Sequence, residues 1–172
     1  MHVYEAIRAR YSVREYLPAP VTDEQVNRVL EAARLAPSSS NRQDWRFIVV
    51  RDAGRREQLA QAASNQMWIA GAPVIIAAIG TNPSSVMTCG LPRHAVDVSI
   101  AITHMMLAAV EEGLGTCWIG MFSQDRVREI LGVNPDCVVV TIMPLGHPHG
   151  GRVPAKSRKR LEDIVRYETD SR

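Results

Sequence analysis

The chain has almost no net charge, no paired cysteines and no long apolar run, and each absence removes a class of protein. Its 20 Lys and Arg against 18 Asp and Glu leave a formal charge of +2, which does not point to a polyanionic partner. Basic residues cluster only over residues 152–160. That stretch is short and lacks interleaved aromatics, so no nucleic-acid partner is expected. The three cysteines, Cys89, Cys117 and Cys137, are odd in number and widely spaced, with no C-x-x-C or Cys/His zinc pattern. This argues against a disulfide framework or structural zinc, and reduced, mostly buried thiols in a cytoplasmic protein are expected. No apolar run reaches the length of a membrane span. The first fourteen residues alternate charged and apolar groups, unlike a leader peptide.

Catalytic signatures are missing too. There is no Walker A loop, no G-x-S-x-G elbow and no H-E-x-x-H. Gly113-x-Gly115 imitates a dinucleotide fingerprint, but Trp118 stands at the third glycine position. The pair also joins a helix to a strand, the reverse of a Rossmann turn. His147-Pro148-His149 reads as a turn rather than a metal site, and no carboxylate pair stands out for acid–base chemistry. No catalytic side chain and no metal are expected.

What is present is a chain of 172 residues, 46% hydrophobic, enough for one domain over residues 1–172 with its own core. Residues 2–9 read as a short amphipathic helix. Thr22 and Gln25 form a capping box ahead of a helix striped by Val26, Val29, Leu30 and Ala33. Strands are expected at 46–51, 73–80, 116–120 and 137–145, and helices at 52–66, 95–112 and 123–131. The strand 73–80 is wholly apolar and should be buried on both faces. The helix 95–112 is apolar nearly all round, so it should be buried by more than one neighbour, in a core position, at a subunit interface, or both. Residues 81–94 form a loop of lid-like length.

Two polar stretches carry chemistry. Arg10-Tyr11-Ser12-Val13-Arg14 sets two guanidinium groups around a hydroxyl, which is either a solvated basic patch or an anion site. Pro37-Ser38-Ser39-Ser40-Asn41-Arg42-Gln43-Asp44-Trp45 is rich in hydroxyls and amides, and is either a helix-to-strand turn or a ligand loop.

These stretches, taken with Gly113 to Gly120 and Lys156-Ser157-Arg158, resemble in order four motifs of the nitroreductase family of flavin enzymes. The motifs are R-x-S-x-R, P-S-S/A-x-N-x-Q-P-W, G-L-G-T-x-W-I-G and a returning K/R-x-R. The resemblance covers essentially the whole chain. It implies an α+β fold with a mixed, mainly antiparallel central sheet flanked by helices, in an intertwined homodimer with FMN sites at the interface. It also implies non-covalent FMN, with NAD(P)H as co-substrate and a nitroaromatic, quinone or activated alkene as acceptor. Relatives of the fold also carry out flavin fragmentation, dehalogenation or heterocycle dehydrogenation, and a non-enzymatic flavin-holding or redox-sensing protein would share the same motifs.

Carried over, Arg10, Ser12, Lys156 and Arg158 would hold the phosphate and ribityl end, with Tyr11 between them. Arg14 would reach the pyrimidine side. Pro37, Ser38 and Ser39 would come from the partner subunit, with Asn41 and Gln43 nearby. The backbone of Ile119 and Gly120 would face the flavin, with an N–H near N5. Asp44 departs from the family pattern, which has Pro before Trp. The brevity of residues 81–94 implies an open acceptor pocket, bordered by the region of Met67 and Trp68.

Overall fold

The computed structural model describes residues 1–150 and 153–170. Two long runs of burial dictate the architecture. All seven residues of β2 (Val74–Gly80) are buried, because its side chains alternate between two separate apolar layers. Val74, Ile76 and Ala78 pack with residues of α2 (Asp23–Arg34) and α4 (Arg93–Glu111). Ile75, Ala77 and Ile79 pack with residues of α3 (Ala53–Ala62) and α5 (Gln124–Leu131). A sheet covered on both faces follows.

Its strand order is β1-β2-β4-β3, with β1 Trp45–Val50, β3 Gly115–Thr116 and β4 Val138–Gly146. The three strand pairs are antiparallel. A parallel bridge between Ser12 and Thr116 makes the sheet mixed at its edge. This is the α+β fold expected from the motifs.

Local signals account for most boundaries. Thr22 Oγ1 accepts from the Gln25 N–H at 3.2 Å while Gln25 Oε1 accepts from the Thr22 N–H at 3.1 Å, the reciprocal pair expected of a capping box. Asp52 caps α3 through the Arg55 N–H at 2.8 Å. Gly113 adopts φ +70° just past α4, and the Leu114 N–H reaches back to the Ala109 carbonyl at 2.8 Å. This is a left-handed stop that a β-carbon would strain.

Two expectations need correction. The helix expected over 52–66 stops at Ala62, because Ser64 and Asn65 take left-handed backbone (φ 58° and 57°). The strand expected over 116–120 is only Gly115–Thr116, although Ile119 pairs with Ile142 in the same register. Continuing that register places Pro144 opposite Cys117, and proline has no N–H for the ladder.

The helix α4 begins at Arg93. It packs on α1 (Val3–Ala9), α2 and the sheet, as expected of a helix with more than one neighbour, and one side stays open. Asp97, Val98, Ala101, Ile102, Met105, Met106 and Ala109 are buried, whereas Val96, Ile100 and Leu107 on the other side stay partly exposed. The tail makes a short helix, α6 (Leu161–Ile164), and Leu161, Ile164 and Tyr167 are exposed. Of the thiols, Cys117 and Cys137 are buried and Cys89 is exposed. No described helix is long and apolar enough to cross a membrane.

Candidate functional site

At the end of α1 (Val3–Ala9), Arg10 turns into extended backbone. The chain then runs beside β3, where the Val13 N–H donates to the Thr116 carbonyl at 2.9 Å. Glycine at 115 permits this approach, since a β-carbon there would lie 2.4 Å from Val13 Cγ2. The next residues are tied down as well. The Tyr16 hydroxyl donates to the Val13 carbonyl at 2.9 Å, and Leu17 and Glu15 bond to the backbone of His147 and His149. Burial pushes the Tyr16 phenol far up, so it remains a neutral donor.

With Arg10, Tyr11 and Val13 this segment lines a cleft of about 180 Å³, closed by Val110, Gly113, Leu114 and Thr116, and with Tyr11, Val13 and Arg14 a neighbouring groove of about 380 Å³ that reaches Pro154. Cys117 lies beneath the segment. Burial pushes its thiol up, while Arg14, Ser12 and Arg10 pull it the other way. A buried thiol beside cations is a poor nucleophile when its pKa stays high.

The tail returns to this place. Lys156 Nζ donates to the Ile7 carbonyl at 2.8 Å. Its ammonium is held below the ordinary lysine value, first by burial and then by the charges of Arg10 and Arg158. Arg28, Arg34, Arg42, Arg51 and Arg128 all have carboxylate partners. Among the described residues Arg10, Arg14, Lys156 and Arg158 have none, which is true of several other arginines as well; what sets this group apart is that Arg10, Lys156 and Arg158 lie in one another's field. Arg14 instead lies over the Trp68 ring, 5.9 Å from its centroid, a cation–π contact. Of the basic cluster at 152–160, Arg152 lies outside the described residues.

The polar loop lies elsewhere. Three of its residues, Ser40, Asn41 and Gln43, have φ of 53–55°, an uncommon density of left-handed backbone without glycine. Ser38 Oγ accepts from the Gln43 N–H at 3.0 Å, and the Gln43 amide donates to Asn41 at 3.2 Å. Ser39 is anchored to Asp97 on α4, its N–H at 3.0 Å and its hydroxyl at 2.9 Å from Oδ1. Pro37 is exposed. Asp44, where the family has Pro, accepts from Arg42 at 3.1 Å, and its carbonyl takes the Thr81 N–H at 3.1 Å.

The two groups therefore sit at opposite ends of one helix. Asp97 anchors the loop and Val110 lines the Arg10 cleft; thirteen residues at 1.5 Å each put them roughly 20 Å apart along α4. Within one chain they do not converge.

Ile119 and Gly120 stand nearer Arg14. The Met121 carbonyl accepts from Gln66 at 3.4 Å, next to the turn that carries Trp68. The Ile119 backbone is engaged in the fold, its N–H on the Ile142 carbonyl and its own carbonyl on the Thr141 hydroxyl. Gly120 is exposed, and it leaves its N–H without a partner among the described residues.

A sequence model of the nitroreductase family matches residues 7–81 and 64–147, spanning the Arg10 segment, the polar loop and the Gly113–Gly120 turn. The chain belongs to the nitroreductase family. It is thus an oxidoreductase by descent. A protein of Archaeoglobus fulgidus described as a putative NADH dehydrogenase/NAD(P)H nitroreductase is 32% identical over 154 residues, 83% of each chain. The NADPH-flavin oxidoreductase of Vibrio harveyi is 34% identical over 188 residues, 95% of this chain and 78% of that one. Among solved structures, a nitroreductase family protein from Clostridium difficile 630 superposes with a TM-score of 0.85 at 33% identity, covering 98% of this chain and 99% of the other.

Two residues of this nitroreductase-family site were not singled out by motif. Asp97 is a buried carboxylate flanked by Val96 and Val98. A lone acid inside an otherwise apolar helix is the signal that marks it. Trp68 was placed only at the border of an acceptor pocket, but here it bears the Arg14 guanidinium.

Proposed function

We propose that the chain is an FMN-dependent NAD(P)H oxidoreductase that acts as a homodimer by a ping-pong cycle, with nitroaromatics, quinones or activated alkenes as acceptors. The observation that carries this reading is the group of uncompensated cations. Arg10, Lys156 and Arg158 share one field without a carboxylate among the described residues, beside the Ser12 hydroxyl. Like charges held together are costly unless an anion joins them, and a phosphate dianion with three acceptor oxygens suits two guanidinium forks and an ammonium.

The residues present fit FMN in two further respects. Arg14 sits along the chain from the phosphate cradle over the Trp68 ring, and the exposed Gly120 offers an unpartnered N–H among the described residues. Bound FMN supplies the hydride transfer, receiving it from the nicotinamide and delivering it to the acceptor. The chain's own contribution is to bind and orient. Arg10, Ser12, Lys156 and Arg158 hold the phosphate end. Arg14 brings fixed positive charge to the pyrimidine edge, where reduction places negative charge. The Gly120 N–H would be free to donate to the flavin. The exposed Trp118 and Met121 border the open face on which nicotinamide and acceptor alternate.

The homodimer reading rests on the split site and the exposed apolar surface. The polar loop is roughly 20 Å along α4 from the Arg10 cleft, so Pro37, Ser38 and Ser39 meet a flavin held at that cleft only when supplied by a second copy. The partly exposed Val96, Ile100 and Leu107 of α4, and the exposed Val3, Tyr4 and Leu35 close to it, offer the surface for that copy. The tail with Leu161, Ile164 and Tyr167 exposed is the arm that would embrace it. Replacing Arg10 and Arg158 together with Ala should strip the purified protein of flavin; full flavin occupancy in that variant would defeat the phosphate assignment.

A further inference from the structure

Among the described residues, two buried side-chain polar atoms lack a hydrogen-bond partner, His94 Nδ1 and Asp97 Oδ2. They stand three positions apart at the start of α4, where such residues share a face. Asp97 is 3% exposed. A buried carboxylate without a cation and with one oxygen unpartnered is a poor choice for stability, since its desolvation is only partly offset. The positions on either side of it are valines, and an apolar residue would serve the core better.

Its other oxygen is fully used. Asp97 Oδ1 accepts both the N–H and the hydroxyl of Ser39, at 3.0 and 2.9 Å. Ser39 directly precedes Ser40 and Asn41, whose left-handed backbone is strained in residues other than glycine. The Ser39 hydroxyl also lies 3.2 Å from Met87 Sδ in the loop before α4. Thus Ser39 joins the polar loop, the 81–92 segment and α4 at one carboxylate oxygen. Two charge-assisted bonds are stronger than neutral ones and offset the strain of the turn. The buried charge holds one loop in one shape.

We propose that Asp97 is a positioning residue: through Ser39 it fixes the 37–43 loop in the conformation that closes over the flavin of the partner subunit, and so sets the affinity for FMN. This rests on the FMN reading above, with that loop supplied across the dimer.

The test is FMN binding to flavin-free protein, followed by quenching of free FMN fluorescence, for wild type, Asp97→Ala, Asp97→Asn, Ser39→Ala and the Asp97→Ala/Ser39→Ala double variant. Thermal unfolding of each flavin-free protein reports the fold separately. Asp97→Ala and Ser39→Ala should each weaken FMN roughly tenfold or more, the worth of a hydrogen bond to a charged group. The double variant should be no weaker than the stronger single loss, because both remove one clamp. Asp97→Asn, which retains a carbonyl oxygen for Ser39, should recover most of the affinity.

Wild-type affinity in the Ser39→Ala variant overturns the proposal even if Asp97→Ala does not fold. Losses that multiply in the double variant overturn it as well. If wild type itself takes up no FMN, the cofactor reading fails, an outcome distinct from wild type binding and the variants binding equally.

Discussion

Lys156 Nζ donates to the carbonyl oxygen of Ile7 at 2.8 Å, across 149 residues of chain. That one bond pins the C-terminal tail against the end of the first helix and sets Lys156 beside Arg10. Removing it should loosen the tail and weaken the anion site together. Lys156→Ala is expected to weaken FMN by roughly tenfold, with the loss steeper at low salt, because a charge-assisted contact is worth about 1.5–3 kcal/mol. Binding titrations at two ionic strengths check this.

The same residue gives the site a pH dependence with a definite sign. The Lys156 ammonium ionises below its ordinary value of 10.5, owing first to burial and then to Arg10 and Arg158. As pH rises through that lowered value, a positive charge leaves the cradle and FMN affinity falls. Bound phosphate favours the charged form, so binding takes up protons in that range. Lys156→Arg stays charged and should flatten the profile. Titrations from about pH 7 to pH 10 would show a flat wild-type curve if Lys156 does not face the phosphate.

Gly115 holds the N-terminal segment against the sheet edge. A β-carbon at this position meets Val13 Cγ2 at 2.4 Å, so Gly115→Val must push Ser12 and Arg14 away or distort β3. Overpacking of this kind costs about 1–3 kcal/mol, and here it should also reduce flavin occupancy. Thermal unfolding and the ratio of flavin to protein absorbance read the two effects. Loss of stability with normal occupancy would detach the segment from the site.

The partly exposed side of α4 yields a prediction on assembly. Leu107→Arg places a charge in the groove lined by Val3, Leu35 and His104. The variant should sediment as a monomer and lose flavin, because the 37–43 loop then has no partner cleft to complete. A monomer that retains FMN would show that one chain suffices.

How much of this was legible in the chain differs from element to element. The capping box at Thr22 and Gln25 and the doubly buried strand over 73–80 are local signals, and each appears as read. The strand over 116–120 was misread because its fate depends on Pro144, a residue of another strand that only the register brings opposite Cys117. The all-round apolar pattern of α4 foretold more than one neighbour, but not which side would stay open, since Val96, Ile100 and Leu107 look the same whether buried by this chain or by a second one.

At the site, the motif residues were legible as types, and their grouping only through the family resemblance. Nothing local says that Arg10 lies with Lys156 while Ser39 sits far along α4. Asp97 stands out in the chain only as a lone acid in an apolar helix; its contact with Ser39 spans 58 positions, and nothing local joins the two.

The account turns on bound flavin, and the visible absorption spectrum of the purified protein, followed by anaerobic addition of NADH or NADPH, tests it most directly. The spectrum of FMN, bleaching when nicotinamide is added, is the predicted result. A protein that shows no flavin even after incubation with FMN would contradict the account, and leave Arg10, Arg14, Lys156 and Arg158 as an exposed basic patch.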